Sequence, residues 1–305
     1  MTQAVASHSE PDHEAGSRAQ QHVRLGPKTA FDLGDLHEAW QFRELFWVLA
    51  IRDVKVKYKQ TIAGVAWVVL QPIITAAIFT VVFAGIAGLD FGKGPSVLAI
   101  FAGVTAFELF NQSVLRGSMS LISNNQLVRK IYFPRILMPL SAVTSAIVDW
   151  VVSIGLLLLL LIACNVIAPL TGRFEGSWPG WEVVLWPVTV LVLLMIGVGL
   201  SFATAGLAAI YRDVTRIVPT IIKLVMYASP VMYDLSYTQK LPRWLELAYL
   251  ANPMAGVIAM YRYTSTGMGT VHWGAFAWSC IFAVLSLVIG YFLFRRHEKG
   301  VADVI

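Results

Sequence analysis

Residues 51–73 read IRDVKVKYKQTIAGVAWVVLQPI, in which four cations (Arg52, Lys55, Lys57 and Lys59) and one acid (Asp53) run without a break into an apolar stretch. A basic arm joined directly to such a stretch marks the cytoplasmic end of a membrane-spanning helix, because Lys and Arg are retained on that side. The composition agrees: of 305 residues, 57% are apolar and 13% charged, with mean hydropathy +0.68. Soluble domains carry about a quarter charged residues. The chain therefore reads as an all-α integral membrane protein. Its net charge of +5 follows from cations held at helix ends and argues for no nucleic-acid partner.

Outward from the quoted stretch, apolar segments of about 20 residues, enough to cross a bilayer core, recur near 62–89, 97–115, 138–168, 183–210, 217–233 and 274–294. Six spans are expected, within a transmembrane domain covering 61–299. The fifth is short and ends at Pro230; the third is long enough to tilt. The cations give the orientation. Segments assigned to the cytoplasm hold fourteen: Arg43, Arg52, Lys55, Lys57 and Lys59; Arg116, Arg129, Lys130 and Arg135; Arg212 and Arg216; Arg295, Arg296 and Lys299. Only Lys93, Arg173, Lys240, Arg243 and Arg262 fall outside, so both termini are expected in the cytoplasm. Residues 1–31 are polar, without the apolar core of a signal peptide, and read as a disordered cytoplasmic tail.

Residues 32–60 are expected to form an amphipathic helix in the membrane plane. Leu36, Trp40, Trp47, Ile51, Val54 and Tyr58 recur at helical spacing, with His37, Glu38, Glu44, Arg52 and Lys55 opposite. Between the second and third spans, residues 116–141 read RGSMSLISNNQLVRKIYFPRILMPLS. A polar Asn124–Asn125 pair precedes Leu127, Val128, Ile131, Tyr132 and Phe133, and Pro134 breaks the segment. The stretch is longer and more patterned than a plain connector. It is a candidate docking surface for a cytoplasmic partner. Residues 234–273 are too apolar to be solvated and too broken, by Pro242, Asn252–Pro253 and Gly256, to span. Two short helices that dip into the outer leaflet fit this pattern, and such backbone needs protein or a cavity around it.

Several polar side chains fall within the spans. Phe101, Thr105, Glu108 and Gln112 share one face of the second helix, with Asn111 beside it. Asp149 and Lys223 are further ionisable intruders, and charges at membrane depth call for a partner or for water. Two readings stay open: the lining of a polar conduit, or structural Glu–Lys or Asp–Lys pairs with Lys223 snorkelling to the interface. Trp67, Gln71 and Tyr227 are candidate stacking and polar groups for a sugar, though any single ring can equally be packing. No GxxxxGK[ST] occurs; GLDFGKG at 88–94 is one residue short, and no metal-ligand spacing or catalytic elbow is present.

Three motifs in order, RDVKVKYKQTIAGVAWVVLQP (52–72), NNQLVRKIYFPRILMPLSAV (124–143) and YRDVTRIVPTIIKLVMYASPVMY (211–233), followed by LP and NPM, closely resemble the permease subunit of type-2 ABC exporters for cell-surface polysaccharides. That group handles O-antigen, capsule, teichoic acid and wall galactan. The likeness covers roughly residues 36–300. It implies a homodimer of permeases with two copies of a separate nucleotide-binding ATPase, which carries the ATP and Mg; no cofactor is expected on this chain, which makes and breaks no covalent bond. It implies ATPase coupling through residues 36–59 and 124–134, including Asn124, Asn125, Leu127, Arg129, Lys130, Tyr132 and Phe133. A polyprenyl pyrophosphate-linked polymer is expected to enter beside Arg52, Lys55 and Lys57 and pass a channel lined by Trp67, Gln71, Phe101, Thr105, Glu108, Gln112 and Tyr227. The outer gate implied at 235–268 includes Trp244, Tyr249, Asn252 and Tyr261. Rival expectations are a type-2 exporter of drugs or lipids and a proton-coupled secondary transporter using Glu108 or Asp149 as a relay.

Overall fold

The computed structural model describes residues 40–59, 64–92, 94–130, 133–172 and 176–304. The expected tail 1–31 and the first part of the amphipathic helix, 32–39, lie outside the described residues. Helix α1 covers Arg43–Lys59 and α2 Gly64–Phe79, the latter widening into a π-helical coil over Thr80–Ile86. Then follow α3 (Ser96–Ser123), the short α4 (Asn125–Lys130), α5 (Leu137–Thr171) and α6 (Trp186–Ile210), which is entered through a 3₁₀ turn at Trp181–Leu185. Helix α7 (Val214–Tyr227) leads through a 3₁₀ turn at Leu235–Lys240 into α8 (Arg243–Leu250), α9 (Pro253–Thr266) and the long α10 (Trp273–Val304). Among the described residues there is no β-strand.

Local chemistry explains where these helices stop and start. Gly172 takes a left-handed φ of 56° to close α5, its N–H reaching the Ala168 carbonyl at 3.0 Å. Asn252 caps α9, accepting from the Met254 N–H at 3.0 Å, with Pro253 at the first helical position. Gly267 then ends α9 at φ 70°.

Among the described residues, five helices are long and apolar enough to cross a membrane: Val69–Ile86, Ser96–Ser123, Leu137–Leu170, Trp181–Ile210 and Trp273–Glu298. The chain is thus a multi-pass membrane protein. The expected fifth stretch, 217–233, is met by α7, whose 14 residues make about 21 Å at 1.5 Å per residue. The chain leaves the helix at Ala228 and turns through Ser229–Tyr233. Helix α3 is the central post, with 78% of its most apolar window buried, whereas α2 is 11% buried and leaves Ile73, Ile74, Ile78 and Val81 exposed.

Without a hydrophobic drive between helices in lipid, close approach of backbones holds a bundle together. Small residues supply it along α3, α6 and α10. A Cβ on Gly117 would lie 2.4 Å from Ser201, and one on Gly199 would lie 2.4 Å from the Ser286 carbonyl carbon. The Ser201 hydroxyl donates across the α3–α6 seam to the Ser113 carbonyl at 2.8 Å. Helix α1 joins a second core at the other end of the bundle, where Leu49 packs with Leu121, Phe133, Met138, Phe202 and Phe294.

Candidate functional site

Helix α1 presents two faces. Leu49 and Ala50 are buried against the bundle, while Trp40, Trp47, Val48 and Ile51 remain exposed. Trp47 and Ile51, on the apolar face read from periodicity, are exposed, whereas Tyr58 of that same face turns to the bundle. The inward face carries charge to the bundle: Lys57 pairs with Asp149 of α5, and the Tyr58 hydroxyl donates to the other oxygen of that carboxylate at 2.6 Å. Burial lowers the Lys57 ammonium from its usual range, and the neighbouring Arg116 adds to this, with the hydrogen bond to Asp149 only partly offsetting it.

Arg116 approaches from α3 and pairs with the same Asp149 oxygen as Lys57. Its guanidinium is steadied by Ser145 at 2.8 Å and Gln112 at 3.1 Å. Gln112 in turn donates to Glu108 at 2.7 Å, and Asn111 donates to the second Glu108 oxygen at 3.0 Å. Glu108, Gln112 and Arg116 stand four residues apart, so they form one polar ridge along α3.

This ridge walls a cavity of about 480 Å³ lined by Lys57, Trp67, Gln71, Pro72, Thr75, Phe79, Val104, Phe107, Glu108, Gln112, Arg116, Asp149, Met226 and Val231. Its lining combines charged and amide side chains (Lys57, Gln71, Glu108, Gln112, Arg116 and Asp149) with aromatic and aliphatic ones. Such a surface can hold a polar, oxygen-rich molecule against rings while offering charge to an ionic group.

Among the expected lining residues, Trp67, Gln71, Glu108 and Gln112 meet here, joined by Lys57 from the entrance set. Phe101 and Thr105 do not line this cavity. They lie on the same face of α3 but nearer Ser96, buried in the core, where the Thr105 hydroxyl donates to the Phe101 carbonyl at 2.8 Å. Tyr227 points away and is exposed, its place taken by Met226 and Val231. Lys55 is exposed. Arg52 binds Asp53 at 2.8 Å and donates to Asn124 at 2.5 Å, so α1 is tied to the α3–α4 junction. Asn125 and Lys130 are exposed, Leu127 is half-buried and Phe133 is buried in the second core. The Arg129 side chain and Tyr132 lie outside the described residues.

Around α9, Trp244 is exposed and the Tyr249 ring meets Tyr233 edge-on at 6.1 Å. Asn252 donates to the Ala228 carbonyl at 2.9 Å, tying α9 to the end of α7. Tyr261 is buried beside Trp186 and accepts from the Trp150 indole at 3.3 Å. Arg262, counted above with the external cations, is 0% exposed. It donates to the carbonyls of Ala99, Pro230, Val231 and Tyr233 at 2.6–3.1 Å and lies over the Phe91 ring. Lys223 is exposed on α7. Arg116 and Arg262 were legible only as topology markers, yet both had a signal: Arg116 continues the four-residue ridge from Glu108, and Arg262 sits alone in the apolar run GVIAMYRYT.

Residues 44–266 match the family described as ABC-2 type transporter. A relative from Myxococcus xanthus, named O-antigen export system permease protein RfbA, is 29% identical over 228 residues, 74% of this chain and 82% of the relative. Two proteins of the same name from Klebsiella pneumoniae are 23% and 24% identical over 282 residues, 91% of this chain and 99% of each relative.

Proposed function

The chain belongs to the ABC-2 type transporter family, and from that premise we propose that it is the transmembrane subunit of an ATP-driven exporter of a lipid-linked cell-surface polysaccharide. Polymers of the O-antigen, teichoic acid or wall galactan kind, carried on a polyprenyl pyrophosphate, are its substrate class. The relatives named as O-antigen export permeases support this class. The single observation that carries the reading is the cavity that combines charged, amide and aromatic lining residues and is reached by Lys57 from the surface helix α1.

In this reading the permease works as a homodimer in the bacterial inner membrane with both termini in the cytoplasm. Two copies of a separate ATPase bind ATP and Mg and dock on α1 and α4. The short α7 and the turn after it complete the sixth crossing, and α8 and α9 form a re-entrant pair that gates the outer end. ATP binding moves the docking helices, and the Arg52–Asn124 contact makes α1 and the α3–α4 junction respond together. The nucleotide acts only through its different affinity for the two permease states. No step on this chain requires bond making.

The test is transport by the chain reconstituted with and without its ATPase partner, under an imposed proton gradient. ATP-dependent movement of a lipid-linked glycan, indifferent to the gradient, is the expected result. Gradient-driven transport without the ATPase would sink the reading in favour of a secondary transporter. Export of drugs or simple lipids but no glycan would place the chain in another branch of the same family.

A further inference from the structure

Lys57 and Arg116 come from different helices, yet both direct their charge to one oxygen of Asp149. A pairing that served only to fasten α1 to α5 would need one cation on Asp149, and here there are two. The three side chains are not sealed in the core: they are 33%, 20% and 13% exposed, at the wall of the 480 Å³ cavity. Glu108 is the other acid lining the cavity, and its two oxygens already accept amide hydrogens from Asn111 and Gln112. With Lys57 and Arg116 positive and Asp149 and Glu108 negative, the cluster is neutral. An added anion would be unfavourable unless Asp149 yielded its contacts with Lys57 and Arg116 to it, the Tyr58 hydroxyl remaining as a donor to the carboxylate.

We propose that Asp149 is a built-in counter-ion that holds Lys57 and Arg116 as a site for the phosphate or diphosphate ester of the transported lipid, which takes the place of the carboxylate during transport. The inference rests on the lipid-linked substrate reading above. A guanidinium fork beside an ammonium matches a phosphate group, which offers more oxygens and more charge than the carboxylate standing in for it. A neutral sugar would gain nothing by displacing Asp149, and a cation would meet two like charges. Glu108, about two helical turns from Arg116 along α3, keeps an anion at the α1 side of the cavity. The apolar side chains of Trp67, Phe79, Phe107 and Met226 are left for the prenyl or glycan portion. Asp149 is thus a positioning residue whose removal should strengthen binding of an anion, the opposite of what loss of a structural contact would do.

The test is equilibrium binding of radiolabelled farnesyl diphosphate to the full-length chain in nanodiscs, with farnesol and inorganic diphosphate as competitors. Lys57→Gln and Arg116→Gln should each weaken binding about tenfold, and Asp149→Asn should tighten it about tenfold, the scale of one charge-assisted contact. If the wild type binds but Asp149→Asn is unchanged or weaker, the counter-ion role is overturned while the headgroup reading stands. If the wild type shows no saturable binding, both fall. Equal competition by inorganic diphosphate and by unlabelled farnesyl diphosphate would overturn the lipid as the source of the anion. Should Asp149→Asn fail to melt cooperatively, the charge-balanced pair Lys57→Gln/Asp149→Asn replaces it. That pair should bind better than Lys57→Gln alone, and equal binding would overturn the proposal.

Discussion

Gly199 and Gly290 meet across the α6–α10 seam so closely that a Cβ on Gly290 would lie 2.0 Å from the Gly199 carbonyl oxygen. The atom it would strike is backbone, which cannot rotate away as a side chain can. The two backbones can approach this closely because neither helix carries a side chain at the crossing.

Gly290→Val should therefore cost more than the about 1–3 kcal/mol typical of an overpacked core, since the helices must part along their length. A melting temperature in detergent well below wild type would show it. Gly155→Ala is the control: beyond the backbone of its own helix no atom lies within 4 Å of its added Cβ, and its melting temperature should stay close to wild type.

Arg262 should be the least replaceable cation among the described residues. It closes the turn after α7 by donating to four carbonyls from two segments. Arg262→Met would leave those carbonyls without their donor and remove the cation 3.9 Å from Asp234, and a loss of about 3–5 kcal/mol is expected. Arg262→Lys should rescue little, because a point charge cannot reproduce the fork. Near-wild-type melting of the Lys variant would show that the charge alone suffices.

Asp234 adds a pH dependence whose sign can be worked out. Burial by itself pushes its carboxyl up, but hydrogen bonds from Ser236 and Thr270 outweigh this and leave it below the usual carboxylate range. A group whose folded value is depressed contributes stability above its unfolded value, about 3.9, and loses it as pH falls through the folded one. Wild type should lose melting temperature below about pH 4. Asp234→Asn should start lower at neutral pH and fall less steeply on acidification.

The Arg52–Asn124 contact at 2.5 Å predicts a separable coupling defect. Arg52→Ala should insert and assemble, with ATPase activity of the complex retained while export falls about tenfold, the scale of one charged hydrogen bond. Export and hydrolysis falling together would instead mean that α1 is needed for assembly. Asn124→Ala should behave alike, and the double variant should be no worse than either single one.

Much of the bundle was legible in the linear chain, because lipid demands long apolar runs and retains cations on one side. The spans from Ser96, Leu137, Trp181 and Trp273 begin within a few residues of their expected starts. Asn252–Pro253, read as a break, marks the start of α9, since an Asn cap and a Pro at the first position are local chemistry, whereas Gly256, read as another break, lies inside that helix. Glu108 and Gln112 were found as a polar pair on one face because helical periodicity places residues four apart together.

What periodicity could not supply was depth and partner. Phe101 and Thr105 share the angular position of Glu108 yet lie in the core, because burial depends on what packs at each level of the helix. Arg116 counted as one cytoplasmic cation among many until α1 and α5 brought Lys57 and Asp149 to it. Arg262 read as an external charge until the turn after α7 wrapped it in carbonyls. The sequence by itself determined a helical membrane protein with its charged arm at Ile51–Ile73, since solvent preference acts residue by residue. Only the tertiary structure decided that this arm reaches a cavity, because an ion pair such as Lys57–Asp149, 92 positions apart in the chain, exists only once three helices have packed.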